Sequence, residues 1–217
     1  MRAVVFDMDG LMFNTEDVYT AVGTELLRRR GHTFTAELKD AMMGLQAEPS
    51  FQKMIEFCNL KETWTELATE SNQLFLSFLN AQLMPMPGLL ELLDALERAG
   101  IPKAIGTSSS RVLVIPCLKP FDLQDRFQFI LTAEDIVHGK PHPEIYLTAA
   151  QRFGIPPAEM LVLEDSRNGC LSAAGAGAFA VAVPGEHSRG HNFGSASLVI
   201  DTLADPRLYR ALGITRL

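Results

Sequence analysis

The stretch from Ala3 to Leu11 constrains the fold of this chain more than any other. It begins with four apolar residues and continues with Asp7, Asp9 and Gly10, a pattern typical of a buried strand that ends in a tight loop. In open α/β sheets ligands bind at the carboxyl ends of the strands. Both carboxylates therefore lie where chemistry would take place.

Two neighbouring acids repel each other unless a cation or a shared proton relieves the repulsion. A hard divalent cation with oxygen ligands, Mg²⁺ before Ca²⁺, suits such a pair. The alternative is that one acid caps the first helix while the other is solvated. Side chains further along the chain decide between these interpretations.

The composition is typical of a globular protein with a large core. Of the 217 residues, 47% are hydrophobic and 21% are charged, which allows one large domain or a core with an insert. The net charge is -7 and there is no long Lys/Arg-rich block. We therefore expect neither nucleic acid nor an anionic membrane as a partner.

The three cysteines, Cys58, Cys117 and Cys170, fit neither a metal-binding spacing nor a disulfide framework. Buried reduced thiols in a cytoplasmic protein are the expectation. The chain has no basic leader and no uninterrupted apolar run long enough to span a membrane, so it is predicted to be cytoplasmic. The oligomeric state is not encoded in any recognisable pattern, and a monomer is the simplest expectation.

Hydrophobic periodicity divides the chain into a helical insert and an alternating α/β region. Residues 15–82 have helical spacing throughout, with Asn14 or Thr15 as the expected cap, and the breaker cluster 84–88 follows. Strands are then predicted at 101–106, 127–131, 160–163, 179–183 and 198–200, and helices at 89–99, 111–118 and 144–153. This order predicts a Rossmann-like parallel sheet in a three-layer α/β/α core, with an inserted helical cap over its carboxyl edge.

Polar side chains follow three of the predicted strands. Because the carboxyl ends of parallel strands meet at one edge, we expect these side chains to gather there, together with a lysine held by a Pro-x-Pro loop. Carboxylates with a metal, a hydroxyl and a lysine suit phosphoryl transfer, since they neutralise the charge on the moving group. The predicted site consists of Asp7, Asp9, Thr107, Ser108, Lys140, Glu164 and Asp165.

Four segments, FDMDGLMFNTE, IGTSSS, HGKPHPEIY and LVLEDSRNG, resemble the four ordered motifs of the haloacid dehalogenase superfamily. The resemblance is to its phosphatase and β-phosphoglucomutase branch, which has a helical cap inserted after the first motif. It implies a core of residues 1–14 and 83–217 and a cap of residues 15–82.

The resemblance also implies a Mg²⁺-dependent phosphatase that acts on a small phosphorylated metabolite. Asp7 would be the nucleophile that forms an aspartyl phosphate, and Asp9 would be the acid and base, with its backbone carbonyl on the metal. Thr107, with Ser108, and Lys140 would hold the phosphoryl oxygens. Metal ligands would be Asp7, Asp9 and Asp165, with Glu164 as a further ligand or a supporting partner.

The runner-up is a hexose-phosphate mutase. Sugar phosphomutases of this superfamily have a histidine where this chain has Tyr19 and a cap arginine where it has Ala47, and residues 67–79 contain no lysine. A dehalogenase is less favoured because that branch does not use Mg²⁺. A non-catalytic binding module on the same fold is also conceivable, since the fold alone does not determine activity.

Other residues suggest secondary features of the site. Substrate specificity is expected from the cap side chains Tyr19, Gln46, Glu48 and Gln52, and the Met and Phe rows of the insert are expected to form the core of the cap. His187 and His191 have the spacing of a metal pair, but the surrounding glycines favour a loop. The apolar cap predicts a closed, water-poor site.

Overall fold

A computed structural model describes residues 1–215, apart from the side chains of residues 80–82. Its sheet has six strands in the order β3-β2-β1-β4-β5-β6, and every neighbouring pair is parallel. The predicted α/β core is therefore confirmed. The strands are β1 (Ala3–Phe6), β2 (Lys103–Gly106), β3 (Ile130–Leu131), β4 (Met160–Glu164), β5 (Phe179–Ala182) and β6 (Leu198–Val199).

Helices cover both faces of this sheet. One face, with Val4 and Phe6 of β1, packs against α5 (Leu89–Arg98), α6 (Arg111–Leu118) and α9 (Pro206–Leu212). The other face, with Val5, packs against α7 (Glu144–Phe153) and α8 (Arg167–Gly175). Successive residues of β1 point to opposite faces and both faces are covered, which explains why the strand is apolar throughout.

Four helices form the cap between β1 and α5. They are α1 (Thr15–Arg28), α2 (Ala36–Met42), α3 (Ala47–Cys58) and α4 (Trp64–Gln82). The helix pair α1 and α4 packs together, as do α2 with α3 and α3 with α4. Within residues 1–215, the insert consists of these helices and the loops between them, with no strand, as its sequence period predicts.

The two linkers that join cap and core run side by side. The Asn14 N–H donates to the Met84 carbonyl at 3.1 Å, and the Met86 N–H donates to the Met12 carbonyl at 2.8 Å. Asn14 occupies the N-cap position of α1, but its side chain makes no capping bond and instead accepts from the Met84 N–H at 2.7 Å. The residue predicted to cap α1 thus ties the two linkers together.

Two strands are shorter than predicted by two or more residues. The second begins at Lys103 and not at residue 101, since Pro102 has no N–H to donate to a ladder. The third includes only Ile130 and Leu131 because it is an edge strand with one neighbour, although Gln128 still donates to the Lys103 carbonyl at 2.8 Å. At the other end of the order, β6 pairs only with β5, as expected for an edge strand.

The cysteines are buried and free, as the sequence predicts. Among the described residues, none of the helices combines the length and the apolar character needed to cross a bilayer.

Candidate active site

The central position of β1 brings the predicted site residues together. Its neighbours are β2 and β4, so residues that follow these three strands share one edge of the sheet. Asp7, Thr107 and Asp165 lie there, each at most 6% exposed. The backbone fixes their positions, since the Asp7 N–H donates to the Leu163 carbonyl and the Thr107 N–H donates to the Leu131 carbonyl.

Lys140 reaches this edge from the loop before α7. Its Nζ lies 2.5 Å from Asp7 Oδ1 and 2.6 Å from Glu164 Oε1, and it donates to the Gly106 carbonyl at 3.0 Å. The side chain is almost fully buried, unlike most lysines. Burial alone would lower the pKa of Lys140, but Asp7 and Glu164 outweigh it and hold that pKa well above its usual range. Lys140 therefore stays charged beside Asp7.

Glu164 forms an ion pair with this lysine. It is the last residue of β4 and not part of the loop after it, and it is completely buried. Its carboxylate accepts hydrogen bonds from the Tyr146 hydroxyl and, at 3.2 Å, from Ser166 Oγ. A Cβ at Gly169 would overlap this carboxylate, so the glycine makes room for it. Glu164 does not line the cavity described below.

Asp9 is held by two hydroxyl groups. Ser109 Oγ donates to Asp9 Oδ2 at 2.7 Å, and Thr107 Oγ1 donates to the same oxygen at 3.1 Å. Burial raises the pKa of Asp9, while the hydrogen bonds from Ser109 and Thr107 oppose that change. The other oxygen, Oδ1, has no hydrogen-bond partner within residues 1–215. It is a buried polar atom that a bound group could satisfy.

The sequence placed Thr107 against the phosphoryl group, whereas its hydroxyl contacts Asp9 and the side chain is completely buried. Ser108, the next residue, does line the cavity. The site predicted from the motif IGTSSS does not include Ser109, although its spacing of two residues from Thr107 is a signal for a second side chain at the same edge. Tyr146 lies inside an apolar helical pattern, where no local signal marks it.

Three carboxylates converge as a possible cation site. One oxygen from each of Asp7, Glu164 and Asp165 lies within 4.8 Å of the other two. Burial raises the pKa of Asp165 well above its usual range, and nearby Asp7 and Glu164 add to that effect. Among the described residues, Lys140 is the one lysine that faces these acids, so the excess negative charge favours a bound cation. A Cβ at position 10 would overlap the Asp165 carboxylate, so only glycine, which has no Cβ, fits there.

The cap is closed over the site. The Tyr19 hydroxyl lies 3.1 Å from Ser109 Oγ, and Asn168 Nδ2 donates to the Met43 carbonyl at 3.4 Å. Gln46 packs on Gly139 so closely that a Cβ there would clash. Beneath the cap lies a cavity of about 370 Å³ that includes Asp7, Asp9, Lys140 and Asp165 in its walls. The cap therefore covers the cavity, while the low water content of the site stays a prediction from the sequence.

Helix α3 turns a different side toward the cavity than the sequence predicts. Tyr19 lines the cavity as expected, but Gln46, Glu48 and Gln52 do not. Instead α3 presents Ala47, Ser50, Phe51 and Met54, which share one side of the helix at spacings of three and four residues. Some of the Met and Phe side chains expected to fill the core of the cap therefore form walls of the cavity.

The histidines lie outside this cavity. His187 Nε2 is 2.8 Å from Asp17 Oδ1 and His191 Nε2 is 2.6 Å from Asp40 Oδ1, so each ring joins a core loop to a different cap helix. The rings of His142 and His138 contact each other in a tilted arrangement, with centroids 4.6 Å apart. The loop location predicted for His187 and His191 agrees with the structure.

Comparisons with known proteins identify the family of this chain. The family model for haloacid dehalogenase-like hydrolases matches residues 4–183, and the chain belongs to that family. A relative in Drosophila melanogaster, described as a probable pseudouridine-5'-phosphatase, is 37% identical over 93% of this chain and 89% of its own length. The β-phosphoglucomutase of Bacillus subtilis is 28% identical over 94% of this chain and 91% of its own.

A solved structure shows the same fold. CbbY from Rhodobacter sphaeroides in complex with phosphate superimposes with a TM-score of 0.84 at 24% identity and covers 94% of this chain and 96% of that chain. Within its family, the protein is a phosphomonoester hydrolase of the phosphatase and mutase-like group.

Proposed function

We propose that this protein is a Mg²⁺-dependent phosphatase that hydrolyses a small phosphorylated metabolite through an aspartyl phosphate on Asp7. The observation that carries the proposal is the contact between Lys140 and Asp7 in the wall of the cavity. Burial raises the pKa of Asp7 well above its usual range, and the charged lysine opposes this effect and orients the carboxylate for attack as a nucleophile. The action of relatives on phosphorylated metabolites supports the substrate class.

In the first step a carboxylate oxygen of Asp7 attacks phosphorus, and the bond between phosphorus and the leaving oxygen breaks. Asp9 donates a proton to that oxygen. In the second step a water molecule attacks phosphorus, Asp9 accepts its proton, and the bond to Asp7 breaks to release phosphate. The unpartnered Asp9 Oδ1 is the atom that we assign to both proton transfers.

The phosphoryl oxygens need donors within reach of Asp7. Ser108 lines the cavity and Lys140 approaches Asp7 at its wall, so both can contact the group as it moves. Thr107 contributes through Asp9, which it holds by a hydrogen bond.

The carboxylates fit Mg²⁺, which prefers hard oxygen ligands and binds through one or two carboxylates beside substrate phosphates. Asp7 and Asp165, with the backbone of Asp9, would hold the ion, and Glu164 would support Lys140 from behind. A bound Mg²⁺ would supply positive charge to balance the phosphoryl group and the buried acids. A cytoplasmic location, a monomeric state and the absence of nucleic-acid and membrane partners stay predictions from the sequence.

A hexose-phosphate mutase is the second candidate, because a relative carries that name. A mutase must hold a bisphosphate, and therefore a second phosphate, inside the cap. Tyr19 and Ala47 line the cavity where the mutases have a histidine and an arginine. The phosphatase assignment agrees better with these side chains.

The test is a panel of phosphomonoesters assayed for phosphate release with Mg²⁺ and with EDTA. We expect release that depends on Mg²⁺ and is lost in Asp7→Asn, while the circular dichroism of this variant stays unchanged. Conversion of glucose 1-phosphate to glucose 6-phosphate, stimulated by a bisphosphate, would favour the mutase. Phosphate release by Asp7→Asn at the rate of the unaltered protein would contradict the mechanism.

A further inference from the structure

The cavity continues from the carboxylates of Asp7 and Asp9 into the cap, and its walls restrict the leaving group of the substrate. Helices α1, α3 and α4 each turn one side toward this space. Its volume of about 370 Å³ lies within the range of roughly 300–1,000 Å³ typical of sites that bury a small organic ligand. The leaving group can therefore be enclosed by the cap.

The charged side chains that the cap contributes to the cavity lie close to a partner of opposite charge. Lys39 is the cap cation in the described lining, and its Nζ lies 2.5 Å from Thr20 Oγ1 and 3.8 Å from a Glu16 carboxylate oxygen. Glu16 also lines the cavity, so the two charges balance. A second phosphate would be buried here without a free cation, which is costly.

Aromatic and apolar side chains form most of the remaining surface. Tyr19 from α1, Phe51 from α3 and Trp64 from α4 share the cavity with Phe34 and Met54. Such walls favour a flat apolar ring. A hexose, with hydroxyl groups on both faces, would leave several of them without partners against these side chains.

A small polar group on α4 interrupts the apolar walls. Ser71 and Asn72 line the cavity, and neither side chain forms a hydrogen bond with another of the described residues. Ser71 is only 7% exposed. Unpartnered polar groups inside a cavity suit a ligand with matching donors and acceptors. An amide such as Asn72 can both donate and accept, as the edge of a heterocyclic base does.

We propose that the substrate's leaving group carries an uncharged, flat ring with polar edges, the class represented by nucleoside 5'-monophosphates, and that the ring lies between α1, α3 and α4. This inference rests on the proposed phosphatase function and specifies its substrate. It predicts that the enzyme prefers such substrates to hexose monophosphates and to sugar bisphosphates.

Uridine 5'-monophosphate, glucose 6-phosphate and fructose 1,6-bisphosphate are the three probes. We expect kcat/KM for the nucleotide to exceed that for either sugar phosphate by about tenfold or more, because a sugar leaves polar groups unpaired in the cap. Equal or better hydrolysis of either sugar phosphate would overturn the inference. Acetyl phosphate, whose leaving group is too small to reach the cap, tests the phosphatase function separately.

Binding can be followed without turnover. Trp64 is the single tryptophan of the chain and lines the cavity, so its fluorescence reports on this site. In Asp7→Asn with Mg²⁺ present, we expect a saturable change with uridine 5'-monophosphate and little change with glucose 6-phosphate at the same concentration. No change with the nucleotide, or an equal change with the sugar phosphate, would contradict the inference even if no substrate were hydrolysed.

Two matched variants of α4 test whether the ring of the substrate lies in the cap. Ala68→Leu fills the cavity, whereas Thr69→Leu adds a leucine on the exposed side of the same helix. We expect Ala68→Leu to lower kcat/KM for the nucleotide about tenfold while acetyl phosphate hydrolysis is retained. Thr69→Leu should behave like the unaltered protein. Unchanged nucleotide hydrolysis in a folded Ala68→Leu would show that the ring does not enter the cap.

Discussion

Ser109 donates a hydrogen bond from its Oγ to Asp9 Oδ2 at 2.7 Å. This bond joins Asp9, the proposed general acid and base, to the loop after β2. The same hydroxyl lies 3.1 Å from the Tyr19 hydroxyl of the cap. The position of Asp9 is therefore linked to the position of the cap helix α1.

Replacing this hydroxyl tests its role in catalysis. We expect Ser109→Ala to lower kcat by roughly 10- to 100-fold, because a hydrogen bond to a charged group contributes about 1.5–3 kcal/mol. Substrate binding should change little, since Ser109 contacts Asp9 and not the nucleophile. Ser77→Ala is the control, because Ser77 is exposed and does not line the cavity. A Ser109→Ala enzyme with unaltered kcat would remove Ser109 from the mechanism.

The two ends of α8 should respond oppositely to the same substitution. Gly169→Ala would push a methyl group into the buried Glu164 carboxylate, which Tyr146 and Lys140 hold in place. We expect it to lower the free energy of unfolding by about 1–3 kcal/mol and to reduce kcat.

Gly175→Ala is the matched control, because a Cβ there meets only Pro143 at ordinary contact distances, the nearest atom being 3.6 Å away. It should raise the free energy of unfolding by up to about 1 kcal/mol, since alanine favours a helix over glycine. Urea unfolding of both variants gives the measurement. Equal effects from the two variants would show that Glu164 tolerates displacement.

Mg²⁺ should stabilise the folded protein. A ligand at about 100 times its Kd adds about 2.7 kcal/mol to the free energy of unfolding, which corresponds to a rise in Tm of several degrees. We expect Asp165→Asn to lose most of this rise, and the exposed Asp125→Asn to retain it. Differential scanning fluorimetry with Mg²⁺ and with EDTA would measure it. An undiminished rise in Asp165→Asn would place the ion elsewhere.

The ion pairs of Glu97 predict a loss of stability in acid. Hydrogen bonds from Arg126 and Lys103 lower the pKa of Glu97 from 4.5 to about 2, against the opposing effect of burial. Because the folded-state pKa is depressed, the stabilisation is fully present above pH 4.5 and is lost as the pH falls toward 2.

We expect Glu97→Gln to reduce the free energy of unfolding at pH 7 by about 1 kcal/mol, a value that allows for solvent screening of this half-exposed carboxylate. Thermal unfolding is measured at pH 7 and again at a pH close to 2. The difference in stability between the variant and the unaltered protein should be smaller in acid. Glu91→Gln, at an exposed position of the same helix, should show no such difference at either pH. A difference that grew in acid would contradict the assignment.

The sequence by itself determined the order of elements, because the signals for it are local. An apolar strand followed by Asp7, Asp9 and Gly10 identifies the central strand and the first site residues. The change from helical period to alternating strands and helices separates the cap from the core. Four motifs, which resemble those of one family and lie at predicted strand ends, predict that Asp7, Lys140 and Asp165 share one edge of the sheet.

Only the tertiary structure decided which way each rim side chain points. Adjacent residues at a strand end face opposite directions, so Glu164 supports Lys140 while Asp165 lines the cavity, and Thr107 holds Asp9 while Ser108 lines the cavity. The rotation of α3 depends on its packing against α2 and α4, which places Phe51 in the cavity and leaves Gln52 outside it. These orientations arise from contacts between residues far apart in the chain, and a local pattern contains no record of them.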